Sequence, residues 1–72
     1  MKLNDFVREL SRLKKKYPQA NVYLFGGTND LEQIQHIALA YAPQNIIQEN
    51  KVTANDCVKQ LVDNYEPVIV IG

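Results

Sequence analysis

The chain has 72 residues, 46% of them hydrophobic and 22% charged, with a formal net charge of zero, one cysteine and one histidine. That length makes one domain, whose core supplies only ~3–5 kcal/mol and leaves no room for a deep pocket. Cys57 alone forms no intrachain disulfide, Cys57 and His36 are too few ligands for a protein-only zinc site, and no apolar run approaches the ~18 residues of a membrane span.

The opening Met1-Lys2-Leu3-Asn4-Asp5 turns polar at once and lacks a signal-peptide apolar core. With the lone cysteine, this sets the expectation of a reducing cytoplasm and no membrane. The zero net charge conceals a split: residues 1–18 carry +4 and the remainder −4. Such a division steers an anionic partner to one side, or supports head-to-tail association between copies.

The first predicted element is a helix over residues 3–17. Leu3, Phe6, Val7, Leu10, Leu13 and Tyr17 recur at threes and fours and form one apolar stripe. Asn4 or Asp5 is expected to cap its start. Lys14, Lys15 and Lys16 fall where they favour the negative end of the helix dipole, and Pro18 stops it.

Residues 21–25 read as a strand. Val22, Tyr23, Leu24 and Phe25 alternate hardly at all, which predicts burial on both faces. The turn Phe25-Gly26-Gly27-Thr28-Asn29-Asp30 follows, and how the chain leaves it decides the fold.

Residues 28–49 admit two readings. As a helix, Leu31, Ile34, Ile37, Ala38 and Tyr41 share a face, Asn29 and Glu32 cap the start, and Pro43 ends the run. As a strand, Ile37, Leu39 and Tyr41 alternate with His36, Ala38 and Ala40, and a hairpin turns at Pro43-Gln44-Asn45 into residues 46–48. The alanines favour the helix, with a short strand at residues 45–48.

Residues 53–65 are predicted to be a third helix. Thr53 and Asp56 have capping-box spacing, Val58, Leu61 and Tyr65 supply the stripe, and Asn64 closes it before Pro67. Residues 67–71 form the last strand; Val68-Ile69-Val70-Ile71 is β-branched throughout and predicts burial on both sides. The resulting order is an α/β fold: a small α-β-α-β-α-β sandwich with a three-stranded, mainly parallel sheet. The alternative is an α+β fold with an antiparallel hairpin at residues 36–48.

Three groups of residues are candidates for function. Gly26, Gly27, Thr28 and Asn29 lie at the end of a strand. If a helix follows them, free backbone N–H groups there favour a small anion or a nucleotide phosphate. A third glycine and a P-loop lysine are missing, and Glu49, Asn50 and the Gly72 carboxylate are expected at the same edge, so the glycines also read as a plain tight turn. Arg8, Arg12 and Lys15 lie on one side of the first helix, with Lys16 adjacent. They form a stripe suited to nucleic-acid phosphates but without interleaved aromatic residues, and equally a solvated face. Cys57 sits near a helix start, where a thiolate is favoured, yet borders an apolar stripe as a small buried hydrophobe does. His36 belongs to the polar face of the second helix. No carboxylate pair suggests acid–base work, and no cofactor or metal is implied.

Leu10-Ser11-Arg12-Leu13-Lys14-Lys15-Lys16-Tyr17-Pro18-Gln19-Ala20-Asn21-Val22 resembles the starts of small uncharacterised phage and prophage proteins of low-GC Gram-positive bacteria. In those a basic helix ends at Tyr-Pro and a strand follows. The resemblance implies no activity; the remainder of such chains is often an antiparallel sheet. The stretch from Tyr17 to Gly27, with Val68-Ile69-Val70-Ile71-Gly72, is similar to the second nucleotide-binding half of two-domain glycosyltransferases. That likeness implies α/β topology and transfers no catalytic residue. The sequence thus reads as a small non-enzymatic binding protein. Its partner is a protein or a second copy, joined through an uncovered sheet edge at residues 68–71 or 46–48.

Overall fold

The computed structural model describes residues 1–25 and 31–72. In chain order the elements are helix α1 (Leu3–Lys16), strand β1 (Asn21–Leu24), strand β2 (Ile37–Pro43), the short helix α2 (Gln44–Gln48), a single 3₁₀ turn (Ala54–Asp56) and strand β3 (Tyr65–Ile71). They build an α+β domain around a three-stranded mixed sheet of order β1-β3-β2. β3 pairs parallel with β1, Val22 opposite Ile69 and Leu24 opposite Ile71. It pairs antiparallel with β2, Leu39 opposite Ile69 and Tyr41 opposite Pro67.

The central place of β3 follows from its composition. A strand apolar on both faces needs cover on both, and adjacent residues Val68 and Ile69 are 0% and 4% exposed. One face carries Val22, Leu24, Ile37, Leu39, Tyr41 and Ile69, which the ladder register aligns, and α1 packs there through the buried Leu13. The other carries Ala38, Ala40 and Ala42 beside Val68 and Val70. Side chains this small let covering backbone come close, and Ala42 is wholly buried.

α1 forms as its periodicity predicts, with Asp5 in the first turn and Lys14, Lys15 and Lys16 in the last. Its start is corrected. The N-cap is Lys2, without a side-chain cap, and Asn4 and Asp5 lie inside the helix.

The remaining elements depart from the α-β-α-β-α-β expectation. Residues 31–36 form no helix, and residues 37–43 are a strand. The alternating reading is therefore correct for residues 37–41, but the hairpin is not formed. The antiparallel partner of β2 is β3, and residues 44–48 are helical. α2 ends in a Schellman arrangement: Asn50 adopts φ 57°, its N–H donates to the Ile47 carbonyl at 3.0 Å, and the Lys51 N–H to Ile46 at 3.1 Å.

The third predicted helix shrinks to one turn. Its capping box is present, with the Thr53 N–H donating to Asp56 Oδ2 at 2.8 Å. The chain then straightens, and Val58 and Tyr41 exchange two backbone hydrogen bonds of 2.9 Å each. Helix is lost because two strands compete for the same residues. Val58 closes the outer side of β2, and Tyr65 opens β3. Asn64 does end a turn, at φ 67°, but it is the turn that enters β3; its carbonyl accepts the Gln44 N–H at 2.9 Å.

Candidate functional site

β1 is the open side of the sheet. The outer side of β2 is partly closed by Val58, whereas among the described residues no strand reaches the side of β1 away from β3. The Phe25 N–H donates to the Ile71 carbonyl at 2.7 Å. Backbone direction alternates along a strand, so Tyr23 faces β3 with Phe25, while the N–H and C=O groups of Val22 and Leu24 point to the open side. Edge strands are commonly guarded by charge, proline or a bulge; Asn21-Val22-Tyr23-Leu24 has neither a charged residue nor a proline.

This edge is also apolar. Val22, Leu24 and Phe25 are 56%, 71% and 62% exposed, and Val7 is exposed on the neighbouring helix. That corrects the expectation that residues 22–25 are buried on both faces: the run lies at the margin, where α1 covers it incompletely. Between α1 and β1 an open groove of about 290 Å³ has Val7, Leu10, Lys14, Tyr17, Val22 and Ile69 among its lining residues. Among the described residues Lys14 is the one charged residue that lines it. The edges expected at residues 68–71 and 46–48 are corrected as well: the first is the central strand and the second a helix.

The other candidates are placed as follows. Gly26, Gly27, Thr28 and Asn29 lie outside the described residues. The helix whose dipole was to assist them is absent, since residues 31–36 are irregular and β2 follows. Gly72 does stand near the end of β1, its Cα side facing Phe25, and its carbonyl accepts the N–H groups of Gln35 and His36 at 2.9 and 2.7 Å. Arg8, Arg12, Lys15 and Lys16 are all exposed on α1. Arg8 lies 3.4 Å from Asp5 and Arg12 2.8 Å from Glu9, so each arginine already faces a carboxylate of its own helix. Such exposed pairs are weak, but they lower the positive field of the stripe.

Cys57 is half-buried beside a small pocket that Tyr23, Phe25, Val52 and Val70 help to line. Burial, assisted by the charge of Asp56, raises its thiol above the ordinary value. A thiol held protonated is a poor nucleophile, and its Sγ–H donates to the Thr53 carbonyl at 3.6 Å. His36 is exposed in the approach to β2, and not on a helix. No cluster of metal-ligating side chains occurs among the described residues, and no helix there is long and apolar enough to cross a membrane.

Sequence reasoning missed Val7, Val22 and Leu24 as site residues because it assigned each to the core. The available signal was the missing guard: a strand without charge or proline, next to a helix whose apolar stripe is wider than one sheet strand can cover. A scan against protein-family models and searches of curated proteins and of solved structures return no match to this chain.

Proposed function

We propose that this chain is a small, non-enzymatic interaction protein that accepts an extended segment of a protein partner along β1. The observation that carries the reading is a coincidence of two features on one edge. The backbone groups of Val22 and Leu24 point outward, the Val22 side chain lines a groove beside α1, and Leu24 is exposed next along the same strand. In strand addition, main-chain hydrogen bonds provide the attachment and alternate side chains occupy the groove, which is the division of labour this edge suits. A reducing, cytoplasmic compartment is part of the proposal, supported by the single cysteine, which forms no intrachain disulfide.

Selection from a displayed library of random peptides tests it. Binders are expected to be rich in alternating apolar, β-branched residues, and to lose binding to Val22→Pro. That substitution removes an N–H on the open side and spares the ladder to β3. Binders that retain full affinity for Val22→Pro, with circular dichroism of the variant unchanged, contradict the reading.

A further inference from the structure

We infer that the segment taken up along β1 is acidic at the end that lies beside Lys14; the inference rests on the strand-addition reading. Lys14 lines the groove together with Tyr17, Pro18 and Ala20, where the helix hands over to the strand. Lys15 and Lys16 follow it at the end of α1. Arg8 and Arg12 have carboxylate neighbours in Asp5 and Glu9, but none of the three lysines forms an ion pair among the described residues. Among the described residues no carboxylate lines the groove. The helix dipole places only about half a negative charge at this end; Glu66 shares a hollow with Lys16, Tyr17 and Pro18, so Lys14 and Lys15 are the charges left to the groove.

The same charges disfavour a second copy of the chain in this groove. Two β1 strands paired antiparallel about a two-fold axis bring both α1 helices to one face of a continuous sheet. Each helix then turns the flank that lines the groove, with Lys14 as its charge among the described residues, toward its copy. That flank opposes like charge to like charge. An acidic segment meets the opposite sign, while its apolar residues reach Val7, Leu10 and Val22.

The test uses three chemically blocked peptides: Glu-Glu-Val-Thr-Val-Thr-Val, its counterpart with both glutamates replaced by lysine, and one with both replaced by glutamine. Binding to the full chain is followed by amide chemical shifts. The acidic peptide is expected to shift the Val22 and Leu24 amides and to bind about fivefold more tightly than the glutamine form, roughly the worth of one exposed ion pair. The lysine form binds more weakly still. Added salt narrows the differences, and Lys14→Glu reverses the order. Equal affinity of all three, with Val22 and Leu24 shifted, overturns the acidic preference and leaves strand addition standing. Shifts at Val22 and Leu24 that depend on protein concentration alone overturn it in favour of a second copy. No change at these amides under any condition sinks the strand-addition reading itself.

Discussion

Val68 and Leu24 show how differently two aliphatic residues of one small sheet are used. Val68 is wholly enclosed on the central strand, and Leu24 projects from the margin. Val68→Ala is expected to cost about 2 kcal/mol, from lost transfer energy and the cavity left behind. Leu24→Ala is expected to change stability by less than ~0.5 kcal/mol while weakening any docking along β1. Urea unfolding of both variants, paired with a peptide-binding assay, separates the two roles. Titration gives a second check at this scale. Tyr41 is raised above its ordinary value of 10.0 by hydrogen bonding to Tyr17, with desolvation adding to it, and Cys57 above 9.0 chiefly by burial. In both cases the unfolded chain releases its proton first as pH climbs. Their contribution to stability is therefore complete below pH 9 and falls as pH rises past 9.0 and then 10.0. Thermal unfolding across that window should show the decline, and Cys57→Ala should remove its earlier part.

At the scale of elements, legibility followed how local the deciding forces are. The stripe of α1 is a property of adjacent turns, so residues 3–16 could be read directly. The Thr53–Asp56 box is equally local and is present, although the helix expected after it stops at one turn. Thr53→Ala should cost about 1 kcal/mol and release the Val52–Cys57 segment, visible as faster amide exchange there. Residues 37–43 were harder to read because alanine prefers helix, and the preference was overridden from a distance. Val68-Ile69-Val70-Ile71 needs a neighbour on each side, and the alternation of Ile37, Leu39 and Tyr41 supplies one. A helical pattern and a strand pattern coexist in those letters, and only the partner strand, more than twenty residues later, decides between them. The open edge was hidden for the same reason: a run of apolar residues looks alike at the centre and at the margin of a sheet.

The whole molecule has few buried side chains and many exposed apolar ones. The enclosed hydrophobic residues among those described are Leu13, Ala42, Val68 and Ile69, against exposed Leu3, Val7, Val22, Leu24, Phe25, Leu31, Leu61 and Val62. That balance suits the proposed strand addition: a segment bound along β1 is expected to raise the melting temperature as its concentration exceeds the dissociation constant, measurable by thermal unfolding with and without peptide. The order β1-β3-β2 has a further effect, on how the chain reaches its fold. β1 and β2 never touch as strands; each pairs in a ladder with β3, which the ribosome delivers after both, and β2 has besides it only the single bridge to Val58 among the described residues. A nascent chain that has emerged as far as residue 64 therefore owns a helix and two strands without the strand that joins them, and only the Tyr41–Val58 bridge on the outer side of β2. The sheet then assembles in one late event instead of growing hairpin by hairpin. A fragment of residues 1–64 should show at most partial helix by circular dichroism and no protection of the β1 and β2 amides that face β3, and adding a peptide of residues 65–72 in excess should restore it.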